Sequence, residues 1–340
     1  MTTRHLLAFT FALAFAFGAL GAVMYVHQHE PATQSAAKDA PATPAIDDDN
    51  ADEEPASKWP SEAGSAEQVM YAQSQLMQTA IDQLAPRKSG HPNLYLIGFA
   101  GDGSENVFRN EVEFVERQFT QRFDSAGHVL TLINNPGTLS STPLASLSNL
   151  QMAVDAVAER MDQEQDVLFL FLTSHGSREH ELYVNLDPLP LDQIGINDLV
   201  DVFASTHIRH RVFVISACYS GGFIDALKND TTMIITAARA DRASFGCGTN
   251  SEITDFGRAF FVDGMNHNDN FKAAYTEAAS LIESWETRDD EEHSYPQFVS
   301  TPQIEAQLKA WRAGIRLGAP LPFKTTTPKA DTVDSLTAMR

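Results

Sequence analysis

Two stretches of the chain end alike. "FLTSHGS" (171–177) and "VISACYSGG" (214–222) are apolar runs that give way to one reactive side chain each, His175 in the first and Cys218 in the second. A thiol becomes a nucleophile by losing its proton, from a reference pKa of about 8.5. A neighbouring imidazole can take that proton or stabilise the thiolate. A carbonyl under attack also needs N–H donors aimed at the developing oxyanion. The unobstructed N–H of Gly176 and the N–H of Cys218, at a strand–helix turn, are the candidates. A plainer alternative stands beside this one. Cysteine is among the most buried residue types, and a histidine before glycine can serve only to form a turn.

The elements around these residues decide whether they can meet. From residue 93 onward, short apolar runs at 93–100, 128–133, 166–174, 211–216 and 231–238 predict strands. Between and after them, helical spacing or turn chemistry predicts helices at 108–123, 143–161, 197–205, 221–228, 256–265, 270–286 and 301–314. Strands that read as continuous apolar runs belong to a parallel sheet covered on both faces. The expected fold is therefore one doubly wound α/β domain. In such sheets ligands bind beyond the carboxyl ends of the strands. Three ends carry flexible or reactive residues: "GFAGDGS" (98–104), "TSHGS" (173–177) and "SACYSGG" (216–222). His175 and Cys218, 43 positions apart, then fall at one sheet edge, on neighbouring strands if the order is simple.

"FLTSHGS" followed by "VISACYSGG" resembles the legumain-like cysteine peptidases, peptidase family C13, which are relatives of the caspases. Caspases place their histidine about 50 residues before the cysteine, a comparable layout. The resemblance runs from about residue 93 to about 300. It implies a caspase-like α/β/α sandwich with a mostly parallel central sheet, His175 as catalytic histidine and Cys218 as nucleophile. It also implies Gly176 and Cys218 as oxyanion donors and no metal or cofactor. Arg109 in "NVFRNEVEF", Asp255 in "TDFGRAFF" and Ser244 in "TAARADRASFGC" correspond to pocket residues of the family. Arg109 as a solvated helix-start residue, Asp255 as a helix N-cap and Ser244 as a loop serine are the structural alternatives. Legumains carry glutamate directly after the cysteine, where Tyr219 stands here. Cleavage after asparagine is accordingly not carried over. Peptide-bond hydrolysis is the expected reaction. Acyl transfer to an amine and an inactive peptide-binding domain of the same fold are the alternatives.

Competing motifs are weak. "GFAGDGS" lacks both the G-x-G-x-x-G spacing and the G-K-[ST] of a phosphate loop. Asp102 and Asn106 in that loop could brace His175 or touch substrate. "HGSREH" lacks the spacing of a zinc helix, and "YSGGF" is not G-x-S-x-G, which argues against Ser220 as nucleophile. "HIRH" (207–210) reads as a turn. Cys247, the only other cysteine, could oxidise onto Cys218 or be a buried thiol.

With 45 acidic and 24 basic residues the chain has a formal charge of -21, which repels nucleic acid at long range. The apolar run Leu6–Val26 follows Arg4, and no Lys or Arg comes after it until Lys38. It is long enough to span a bilayer, with the remainder outside the cytoplasm (periplasmic in a bacterium). If "GALGA" (18–22) is a cleavage site, the product is secreted instead. The expected organisation is a stub and membrane anchor at 1–27, an acidic disordered linker at 28–66, a peptidase domain at 67–317 and a loose tail at 318–340.

Overall fold

In the computed structural model, residues 59–60, 63–248 and 251–325 are described. The expected anchor, almost all of the linker and residues 326–340 lie outside them. Among the described residues no helix is long and apolar enough to cross a membrane.

Five parallel strands form the sheet: β1 (Leu94–Ala100), β2 (Val129–Ile133), β3 (Val167–Thr173), β4 (His210–Ser216) and β5 (Thr232–Thr236). A sixth, β6 (Gln297–Val299), pairs antiparallel with β5, giving the order β2-β1-β3-β4-β5-β6. Every residue of β1 and β3 is buried. Side chains alternate between two apolar layers. Ile97, Leu170, Phe213 and Ile234 point to one face, and Leu96, Phe169, Val212 and Ile235 to the other. That two-sided burial is why these strands read as unbroken apolar runs. β6 escapes sequence detection because three half-buried residues carry no periodicity.

The first face is covered by α1 (Ala66–Asp82), α3 (Leu147–Arg160), α4 (Ile196–Asp201) and the short α5 (Ile224–Leu227). The second is covered by α2 (Asn106–Gln121), α8 (Phe271–Asp289) and α9 (Pro302–Gly314). It also carries a composite segment in which α6 (Asp255–Gly257) and α7 (Met265–His267) flank a π-helical turn over Arg258–Gly264. This is the expected α/β/α sandwich with a mostly parallel sheet. Helix α3 begins at Leu147 with Ser146 as N-cap, rather than at the proline four positions earlier. His210, expected in a turn, opens β4 and is buried.

Residues 318–325, expected to be loose, pack on the domain. Gly318 N–H donates to Arg122 O at 2.8 Å, Leu321 N–H donates to Asn266 Oδ1 at 3.0 Å, and Phe323 meets the Phe114 ring edge-on. Composition alone does not reveal that these few apolar residues find partners.

Candidate active site

β3 and β4 are direct neighbours, with Thr173 opposite Ser216, and β1 pairs with β3 so that Ala100 lies opposite Thr173. His175 and Cys218 each stand two residues past that register pair, so the parallel ladder delivers both to one edge. Gly176 lies against the Cys218 carbonyl, and a Cβ at position 176 would overlap it. Contact this close excludes any side chain there. Among the described residues, neither the Gly176 nor the Cys218 N–H has an acceptor. Each is therefore free to receive one from outside.

His175 is held by a residue that the sequence motifs do not single out. Glu105, in the loop after β1, places Oε2 at 2.8 Å from His175 Nε2, and its side chain is 14% exposed. A carboxylate only accepts, so Nε2 carries the proton and Nδ1 of the neutral ring is the basic nitrogen. The Phe108 ring meets the imidazole edge-on at 5.1 Å between centroids. Glu105 is also the N-cap of α2, yet makes no side-chain capping bond. Ser, Thr, Asp and Asn are favoured at that position, so a glutamate there was the available clue. Asp102 and Asn106 do not brace the imidazole by hydrogen bonds. Asp102 Oδ1 accepts from Ser104 N–H, Ser104 Oγ and Asn185 Nδ2, and Asn106 Oδ1 accepts from Asn135.

Cys218 meets Ser244. The Ser244 N–H donates to Sγ at 3.3 Å, while its carbonyl lies 3.5 Å and its Oγ 3.7 Å from the same sulfur. Tyr219 adopts the left-handed conformation at φ 56°, with its N–H donated to Arg242 O at 2.7 Å. Its carbonyl lies 3.1 Å from His180 Nδ1, and the Arg178 guanidinium sits 5.1 Å over its ring. The two histidines of "HGSREH" thus serve different partners.

Ser220 is buried and exchanges hydrogen bonds with the backbone of Ala238, a structural serine. Cys247 is free, as is Cys218. Burial, with lesser contributions from nearby Cys218 and Glu105, pushes the Cys247 thiol up to about 11.

The other pocket candidates are placed less centrally. Asp255 follows Thr254, which is the actual N-cap of α6, and abuts Gly246 in the loop that carries Ser244. Burial raises its pKa, and Asp289 and Glu286 add to the effect. Arg109 pairs with Glu113 at 2.7 Å and donates to Asn135 Oδ1 at 3.2 Å, beyond the end of β2. Its charge is met within the protein, and no hydrogen bond or ion pair joins it to Asp255.

Beneath the edge lies Glu111, fully buried. Thr173 Oγ1 donates to its Oε2 at 3.1 Å, and the hydroxyls of Thr254 and Ser216, 3.2 Å apart, adjoin the same carboxyl. One group thereby joins α2 to the ends of β3 and β4 and to the cap of α6. Gly257 leaves room for it, since any Cβ there would strike Oε1. Burial raises Glu111 to about 8, so it is protonated at neutral pH. The unfolded chain ionises this group near the ordinary carboxylate range while the fold retains the proton. Stability therefore falls as pH rises from about 4.5 to about 8, by at most about 1.4 kcal/mol per pH unit from this group. Glu111→Gln is expected to flatten that portion of the stability curve and to stabilise the chain at pH 8. Denaturation midpoints measured from pH 5 to pH 9 check this, and an unchanged slope contradicts it.

The class defined by this arrangement is an α/β sandwich that presents a histidine–cysteine pair at the carboxyl edge of its sheet. The model of the peptidase C13 family matches residues 151–303, a segment that includes His175, Gly176, Cys218, Tyr219, Ser244 and Asp255 but not Arg109. Over that segment the chain is similar to the C13 family. No curated protein sequence matches the chain. Among solved structures it is similar to caspase-1 from Spodoptera frugiperda, with 13% identity over 64% of this chain and 90% of that chain and a TM-score of 0.44.

Proposed function

We propose that the chain is a cysteine endopeptidase that hydrolyses peptide bonds through an acyl-enzyme on Cys218. The observation that carries this reading is the chain of contacts that prepares the edge for acyl transfer. Glu105 fixes Nε2–H of His175, Nδ1 is left as base, Ser244 N–H faces Sγ, and two backbone N–H groups lack acceptors. An inactive binding domain has no need of an imidazole fixed in one tautomer.

In the proposed cycle His175 Nδ1 takes the Cys218 proton and Sγ attacks the carbonyl carbon. The N–H groups of Gly176 and Cys218 receive the oxyanion. The imidazolium then passes its proton to the leaving amine as the C–N bond breaks, leaving a thioester. Water, deprotonated by the same nitrogen, attacks that thioester and releases the acid. Ser244, Tyr219 and Asp255 would line the pocket for the residue before the cleaved bond, with Arg109 at its far side. The run Leu6–Val26 would tether the domain to a membrane, with catalysis outside the cytoplasm.

The test is alkylation of the full-length chain by peptide electrophiles, with the adduct located by mass. Cys218 should label far faster than a free thiol, and His175→Ala should slow it by about a hundredfold or more. Glu105→Gln should slow it about tenfold, because an amide can donate to Nε2 and no longer holds the proton on that nitrogen. Labelling of Cys218 at the rate of a free thiol, indifferent to both substitutions, would sink the reading.

A further inference from the structure

The loop that follows His175 leaves one cation unanswered beside the nucleophile. Arg178 is exposed, and its guanidinium lies 5.1 Å over the ring of Tyr219, the residue directly after Cys218. Among the described residues it has no carboxylate partner, and the acids of its own loop, Glu179 and Glu181, form no ion pair with it. Other arginines near the edge are answered: Arg109 by Glu113, Arg239 by Asp241, and Arg242 by Asp241 and Glu292. With 45 acidic and 24 basic residues in the chain, carboxylates are not scarce. The missing partner reflects where Arg178 is held.

The backbone fixes that place. Ser177 Oγ accepts from the N–H of Glu179 at 3.2 Å and of Glu181 at 3.3 Å, and Ser177 N–H donates to Glu181 O at 3.0 Å. His180, left-handed at φ 62°, donates Nδ1–H to the carbonyl of Tyr219, which is left-handed as well. Gly222 lies against the His180 ring, where any Cβ would collide with it. Bulky residues in this conformation are outliers that cost free energy, and such outliers gather at ligand-binding sites. Two of them in contact lock the Arg178 loop onto the loop of the nucleophile. A guanidinium resting on an aromatic face keeps its N–H edge free for a carboxylate.

The reaction fixes which part of a substrate passes this stack. The leaving amine takes its proton from His175, so the residues directly after His175 flank the leaving half of the peptide. The pocket proposed for the residue before the bond contains Asp255, which disfavours an acidic side chain there. We propose that Arg178 is a specificity residue: stacked on Tyr219, it selects peptides with an acidic side chain at the first or second position after the cleaved bond. The carboxylate takes the free N–H edge of the guanidinium in a charge-assisted pair. Selection of this kind presupposes the endopeptidase reading, whose substrate class it narrows to acidic peptides.

The test is digestion of a peptide pool by the full-length chain, with the new ends read by mass. Glu and Asp should be enriched over Gln and Asn by about tenfold at the first or second position after the cut. Peptide pairs that differ only as Glu or Gln at that position should show a similar ratio in kcat/KM. That ratio should shrink as salt rises from about 0.02 to about 0.5 M, because the pair forms at the surface. Arg178→Gln should bring the ratio to about one, and Arg178→Glu should reverse the preference in favour of lysine peptides, a switch that a merely structural arginine would not produce. Arg178 is exposed, so neither substitution opens a cavity. Cutting without acidic enrichment, or a Glu/Gln ratio that survives in the Arg178→Gln chain, overturns the proposal and leaves the peptidase reading in place. Failure to cut any peptide overturns the selection as well, and the alkylation of Cys218 described above then decides the peptidase reading separately.

Discussion

Cys218→Ala should abolish turnover of peptide substrates, with activity falling by at least about a thousandfold, to background, while the fold survives. No other side chain at the edge can replace the sulfur. Ser220 is committed to Ala238, and the Cys247 thiol is held protonated by burial. The substitution removes one sulfur atom from a half-buried position and breaks only its contacts with Ser244. The stability change should stay within about 1 kcal/mol. Because a nucleophile and its base act as a unit, His175→Ala combined with Cys218→Ala should cost little more than Cys218→Ala alone. Steady-state cleavage of a peptide pool, read by mass and paired with thermal melts, measures both quantities. Substantial cleavage by the alanine variant would show that the chemistry lies elsewhere. Loss of the fold would show that Cys218 is a packing residue, the plainer reading of that position.

Gly176→Ala should be nearly as damaging for a different reason. The new Cβ would overlap the Cys218 carbonyl and crowd the Ala217 side chain, and backbone offers no flexible end that can yield. The β3 and β4 extensions must then separate, shifting His175, Cys218 and both candidate oxyanion donors together. Misplacing such donors costs on the order of 10²–10³ in turnover. Overpacking at a buried contact costs about 1–3 kcal/mol. Both losses should appear together, unlike the Cys218→Ala case, where activity goes and stability stays. Rates of Cys218 alkylation alongside denaturation curves separate the two patterns. A Gly176→Ala chain with wild-type labelling would mean that the close approach has no bearing on the site.

Two substitutions of similar size thus probe different levels of the structure. One removes the reacting atom and leaves the scaffold, and the other leaves every reacting atom and moves the scaffold. Glu111→Gln probes a third level, the buried proton that joins the strand ends to α2 and α6.

The chain's own order of residues determined a good deal. Unbroken apolar runs at β1, β3 and β4 can satisfy their side chains only in a sheet covered on both faces, which forces parallel strands with helical crossovers. A reactive residue two positions past the end of such a run must then lie at the carboxyl edge. That reasoning places His175 and Cys218 together without any knowledge of contacts. β3 and β4 are neighbours, as a simple order requires, although β2 lies outside β1, while β6 and the docked segment 318–325 do not announce themselves in pattern. Their few apolar residues gain meaning only from partners distant in sequence.

Tertiary structure decided everything that depends on where a side chain ends. The resemblance implied pocket roles for Arg109 and Asp255, yet Arg109 turns to Glu113 and Asn135, while Asp255 sits beside Gly246. Glu105 carries no motif, and only the pairing of β1 with β3 sets its carboxylate on His175. Glu111 reads as one charge on a helix, and its burial beneath Thr173 makes it a neutral acid. Periodicity in a sequence reports which face of an element is apolar, a property of neighbours one or two turns apart. Hydrogen bonds and proton affinities depend on groups brought within a few ångströms from dozens of residues away, and only the folded chain fixes those distances.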